Sequence, residues 1–191
     1  MSIDTALAQR IVLVAFDVDG TLTDNGVYIG AASDAPDARI ELKRFDIQDG
    51  LGIVMLRRAG IAVAFISARH SEATTLRARE LGVEHVLQGR GLQKVPTLQA
   101  LCEQLGTTPD HVAFMGDDLA DVAVMQRVAL SAAPANAVAE VQAVATLQLK
   151  REGGRGAARE FVEALLRARG TWDRVVADYV AQSHGAEAAL A

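Results

Sequence analysis

Short runs rich in Val, Ile and Phe alternate along this chain with longer segments whose apolar residues recur at helical spacing. That alternation confines it to an α/β fold, a Rossmann-like three-layer sandwich with a central parallel sheet covered by helices. Core strands are expected at about 11–16, 61–66, 84–87, 111–115 and 128–131. Between them the helical period is clear: Val95, Leu98, Leu101, Cys102 and Leu105 share one face before Gly106, and Ala158, Phe161, Val162, Leu165 and Leu166 repeat the pattern up to Gly170. Ser71 is placed to cap a helix closing at Gly82. With 191 residues, half of them hydrophobic, the chain has material for one sizeable core.

Two segments break the alternation. From Gly26 to Phe45, two strand-like arms flank a polar, Pro-containing turn, which predicts a β-hairpin projecting between the first strand and the first helix after it. Residues 151–159, REGGRGAAR, read as a Gly- and Arg-rich loop before the late helix. The body is expected to run from 1 to 170, with 171–191 a C-terminal helix and tail. Trp172 and Tyr179 share one helical face and are expected to pack against the body or a neighbour.

A net charge of −5 argues against a broad nucleic-acid footprint. The single cysteine, Cys102, excludes an internal disulfide, and the longest clean apolar run, residues 11–16, is far too short to span a membrane. A cytoplasmic protein without nucleic-acid or membrane partners is expected.

The run Ile11–Phe16 leads into FDVDGTLTD (16–24), where Asp17, Asp19 and Asp24 crowd one strand end. Ser67 and Arg69 follow the second core strand, Gly116-Asp117-Asp118 follow the strand at 111–115, and Lys94 opens an intervening helix. Open α/β sheets bind ligands outside the carboxyl ends of their strands, so these chain-distant groups are expected to share one crevice. A calcium loop fails on count: from Asp17, position six is Leu22 instead of Gly and position twelve is Tyr28 instead of Glu. An isolated Asp-x-Asp would read as a turn or a helix cap; this set reads as magnesium plus phosphate. Asp17 and Asp117 would supply carboxylates and Asp19 its backbone carbonyl, while Asp118 and Asp121 orient that shell.

FDVDGTLTD, Ser67, Lys94 and GDDLAD (116–121) resemble, in order and separation, the four signature motifs of the haloacid dehalogenase superfamily. The resemblance implies that Asp17 attacks phosphorus to form an aspartyl-phosphate, and that Asp19 protonates the leaving alcohol and then activates water. Ser67 and Lys94 would hold the phosphoryl group. Receiver domains of signalling systems also use an aspartate with acidic metal ligands, a hydroxyl and a Lys. Asp19, an acid two residues past the nucleophile, favours turnover over a stable phospho-acceptor. The intervals between motifs leave no room for a large cap domain.

Within the superfamily the chain is most similar to the capless phosphatases of lipopolysaccharide sugar synthesis that act on 3-deoxy-D-manno-octulosonate (KDO) 8-phosphate. GVYIG (26–30), RFDIQDGLGI (44–53), SARHS (67–71) and GGRGAARE (153–160) carry this similarity. It implies a homotetramer assembled through the hairpins, with residues 153–156 near a neighbouring active site. It also implies substrate contacts at Asp19, Asp46, Ile47, Gln48, Asp49, Gly50, Arg69, Arg77 and Lys94. The competing reading makes Arg69 and Arg77 solvated surface charges, with more weight for Arg77. The chain departs from the family pattern at Gln48 and Val54, where relatives carry basic residues, at Gln93-Lys94 in place of Asp-Lys, and at Ala68 in place of Gly. A nonulosonate 9-phosphate or another sugar phosphate is the alternative substrate.

Overall fold

Every residue of strand β1 (Leu13–Phe16) is buried, because this strand lies at the centre of a sheet covered on both faces. In a computed structural model, which describes residues 3–32 and 35–188, Val14 and Phe16 point into one apolar cluster and Leu13 and Ala15 into the other. After β1 come β2 (Tyr28–Ala32), β3 (Ala35–Leu42), β4 (Ala62–Ser67), β5 (His85–Gln88), β6 (Val112–Met115), β7 (Leu130–Ala133) and β8 (Leu147–Gln148). Six of them form a parallel sheet in the order β5-β4-β1-β6-β7-β8. The chain builds outward from β1 to β5 and then crosses to β6 on the other side, so the strand order reverses at β1 and opens a crevice there.

Helices α1 (Thr5–Arg10), α2 (Ile47–Arg58), α3 (Glu72–Glu80), α7 (Ala157–Ala168) and α8 (Trp172–Ala188) cover one face. α4 (Lys94–Gln104), α5 (Leu119–Met125) and α6 (Ala139–Val144) cover the other. Phe16 meets Phe161 of α7 edge to face at 6.3 Å, which joins strand and helix at the core's centre. The expected three-layer architecture without a large cap is the observed one. It acquires an eighth strand, β8, and two short helices, α1 and α6, whose apolar periods are too brief to read. β1 begins two residues later than expected because Ile11 closes α1, its N–H bonding Ala8 O.

β2 and β3 pair antiparallel, with Tyr28 opposite Leu42 and Gly30 opposite Ile40, as a two-stranded sheet separate from the core. The expected hairpin tip includes residues 33 and 34, which lie outside the described residues. Tyr28, Ile40 and Leu42 share one face and are exposed. A bridge between Thr23 and Phe45 closes the hairpin's base beside the loop after β1.

The segment after Gly170 is a helix packed on the body. Trp172 is buried, with the guanidinium groups of Arg159 and Arg167 at 5.1 and 5.2 Å from its ring, and Val175 belongs to the same core as α7. Residues 189–191 of the expected tail lie outside the described residues.

Candidate active site

Asp17 leaves β1 with its N–H bonded to Met115 O of β6, so it stands at the reversal point of the sheet. Asp117, two residues past the end of β6, is brought beside it. The turn between them needs glycine: Gly20 has φ +92°, and a Cβ there would stand 2.0 Å from Asp117 Oδ2. Thr21, fully buried in that turn, donates to Asp117 Oδ1 at 2.8 Å.

Asp17, Asp117 and Asp121 present carboxylate oxygens within 4.8 Å of one another, all buried. Lys94, at the first turn of α4, donates to Asp17 and, at 2.5 Å, to Asp121. Burial raises the Asp17 pKa well above the carboxylate range and Asp121 raises it further, against the opposing pull of Lys94. Asp117 is pushed up to about 7, first by burial and then by Asp121, although the Thr21 bond works the other way. Burial opposes the charge on Lys94, but Asp17 and Asp121 outweigh it and hold its pKa above the ordinary value.

This crowding fits a hard divalent cation: oxygen donors only, a surplus of negative charge, and little solvent. Asp121 is the member least free to bind one. Its Oδ2 accepts from the N–H groups of Asp117 and Asp118, and its Oδ1 is taken by Lys94. Asp118 is exposed and caps α5, accepting from Leu119 N at 2.7 Å, so this pair shapes the loop around Asp117.

A second network adjoins the first. Asp19 pairs with Lys43 Nζ at 2.7 Å, and Arg69 Nη2 pairs with Glu41 Oε2 at 2.5 Å. Lys43 and Glu41 come from the hairpin and its exit, and sequence reasoning missed both, as it missed Thr21. A hydroxyl inside DGTLTD was a readable signal for Thr21. Nothing local marks Lys43 or Glu41, since a charge on a hairpin ordinarily faces water. Ser67, buried at the end of β4, donates to Arg69 O at 3.0 Å and accepts from Arg69 N.

The other expected substrate contacts sit at the start of α2 and, for Arg77, on α3. Asp46 caps α2, accepting from Gln48 N at 2.7 Å and from Asp49 N. Ile47 and Gln48 are exposed, and Gln48 Oε1 accepts from Arg151, which brings a guanidinium to the position where a basic residue was expected. Asp49 is 2% exposed and turned inward, accepting from Gly156 N and Arg159 N at the start of α7. Gly50 lies against Arg77: a Cβ there would be 2.1 Å from Nη2. Arg77 is neither solvated nor open, because it bonds Asp46 O and Glu80 and lies over the Phe45 ring. Val54 is half-buried against the core. Asp24 accepts from Gly26 N and lies 3.9 and 3.8 Å from Arg44 and Arg155.

The Gly-rich segment is bound within its own chain. Gly153 donates to Asn136, Gly154 donates to Thr21 O, and Arg44 donates to Gly154 O at 2.6 Å. A Cβ on Gly153 would stand 1.8 Å from Gly20 O, so these glycines permit the loop after β1 to be covered from the same subunit.

Residues 85–160 match the family model for haloacid dehalogenase-like hydrolases. The KdsC enzyme of Escherichia coli K12, a 3-deoxy-D-manno-octulosonate 8-phosphate phosphatase, is 38% identical over 88% of this chain and 86% of its own length. The Moraxella catarrhalis phosphatase of the same name, solved with magnesium ion, phosphate ion and KDO, superposes with a TM-score of 0.83 at 34% identity, covering 92% of this chain and 97% of that one. The cobalt-bound Haemophilus influenzae phosphatase gives a TM-score of 0.77 at 33% identity over 86% of this chain and 92% of that one. Between a hydrolase and a phospho-acceptor module, these relatives decide for the hydrolase, and the chain belongs to the KdsC family of haloacid dehalogenase-like phosphatases.

Proposed function

We propose that this chain hydrolyses 3-deoxy-D-manno-octulosonate 8-phosphate to the free sugar acid and phosphate, with Asp17 as nucleophile. The observation that carries the reading is the buried meeting of Asp17, Asp117 and Lys94 at the reversal point of the sheet, in a chain whose relatives bear that activity in their names. Asp17 attacks phosphorus while the bond to the sugar oxygen breaks, and Asp19 gives that oxygen its proton. Asp19 then takes a proton from water, the water oxygen attacks phosphorus, and the bond to Asp17 breaks. Lys94 keeps the attacking carboxylate in place and neutralises charge on the phosphoryl oxygens. Ser67 exchanges its bond to Arg69 O for one to phosphate. Magnesium held by Asp17, Asp117 and the Asp19 carbonyl would supply the positive charge that offsets repulsion between Asp17 and the phosphate.

Arg69 is the cation we assign to the substrate's carboxylate, and the start of α2, with Asp46 half-buried and Ile47 and Gln48 exposed, lines the approach. Asp49, Gly50 and Arg77 support that edge from within. The exposed apolar face of Tyr28, Ile40 and Leu42 supports assembly of hairpins into a homotetramer. The buried lone cysteine supports a cytoplasmic location, and no helix among the described residues is long and apolar enough to cross a membrane.

Phosphate release measured on octulosonate 8-phosphate, nonulosonate 9-phosphates and hexose phosphates tests the substrate. A strong preference for the octulosonate is expected. Preference for a nonulosonate would assign Gln48 and Val54 to a retuned pocket, and equal rates would remove the sugar-acid claim. Light scattering is expected to return the mass of four chains; a single-chain mass would overturn the tetramer.

A further inference from the structure

We propose that Lys43 is a positioning residue for Asp19, delivered to the active site by the hairpin of the same chain. The inference rests on the reading of Asp19 as the acid and base of the reaction. The Lys43 side chain has no solvent exposure, which is rare for a lysine unless specific partners hold it. Its Nζ lies 2.7 Å from Asp19 Oδ1, 3.3 Å from the buried Thr74 hydroxyl of α3 and 4.0 Å from Glu41 Oε1. An apolar residue would close the hairpin's base against α3 at lower desolvation cost, so packing alone does not account for an ammonium group there. Glu41 precedes Lys43 by two residues, as expected for one inward face of an extended segment, and it holds Arg69 at the end of β4. The hairpin base thus sets one cation beside Asp19 and one anion on Arg69, the two groups that would meet substrate.

If Lys43 acts by aiming Asp19 at the leaving oxygen, its loss matters most when that oxygen needs a proton. The test compares kcat/KM, which covers the steps up to departure of the leaving group, for octulosonate 8-phosphate and for p-nitrophenyl phosphate, whose leaving group departs unprotonated. Lys43→Met is expected to lose roughly tenfold or more on the sugar phosphate, part of the hundredfold or greater effect of a general acid, and less than about threefold on the aryl ester. Lys43→Arg is expected to recover part of the loss. Equal losses on both substrates, or none on either, would overturn the proposal, and retained aryl ester turnover shows that the variant is folded. Asp19→Asn separates the two claims. If it spares the aryl ester and Lys43→Met does not, the positioning role fails alone; if it shows no dependence on leaving group, the acid/base reading beneath it fails.

Discussion

Asp49 and the group of Asp17, Asp117 and Asp121 are all buried carboxylates, yet they do opposite things to the molecule. Asp49 is answered by two backbone N–H groups, Gly156 at 3.1 Å and Arg159 at 2.8 Å, so one negative charge meets the positive end of α7. Burial raises its pKa, and those two bonds pull against the rise. In the cluster, three carboxylates face one ammonium, and Asp121 adds to the burial that raises the pKa of both Asp17 and Asp117. A buried acid whose charge is matched holds elements together; an unmatched surplus is a site waiting for a cation and an anionic substrate.

The largest effect that would break this contrast is expected at Asp17. Asp17→Asn should lower magnesium-dependent phosphate release by roughly 10⁴-fold or more while leaving the circular dichroism spectrum and Tm no lower, since it removes a repelled charge. Retained turnover would take the nucleophile's role from Asp17. Lys94→Met should abolish turnover and also weaken the fold, by about 3 kcal/mol in chemical denaturation, because it strips the cation from buried acids. An unchanged denaturation midpoint would mean that those acids are matched some other way.

The pH dependence sharpens the comparison. The folded pKa of Asp117, about 7, lies above that of an exposed aspartate, so the folded state binds the proton more tightly than the unfolded chain. Metal-free protein should therefore lose stability as pH rises from about 4 towards 7. Magnesium should restore it near pH 7.5, with a shrinking effect towards pH 5 as protons compete for the same oxygens. Melting curves across this range with chelator and with magnesium check both signs; a metal-free Tm that climbs through the window would refute the charge surplus.

Smaller effects are expected where charge is matched. Asp49→Ala should cost about 2 kcal/mol through the lost cap of α7, while the Tm gain on adding magnesium stays unchanged. A loss of the magnesium response would join the two regions into one. Asp118→Ala, which removes an exposed cap from α5, should cost no more than about 1 kcal/mol in the same denaturation assay.

What could be read from residues alone follows from locality. Strand and helix periods, the glycine after Asp19 and the acids at successive strand ends are short-range patterns, and a parallel sheet gathers its strand ends by topology. The chain by itself therefore determined the three-layer body, its hairpin and the meeting of Asp17, Lys94 and Asp117. Other assignments depended on distances of 28 residues or more that no local pattern encodes. Arg69 meets Glu41, Arg77 meets the Asp46 carbonyl, and Asp49 turns inward to α7. The Gly-rich segment lies against the loop after β1 of its own chain because Gly153 has no side chain to keep it away. Only the tertiary structure decided which charges were matched: a carboxylate's role depends on the donors that reach it, and those arrive from the rest of the fold.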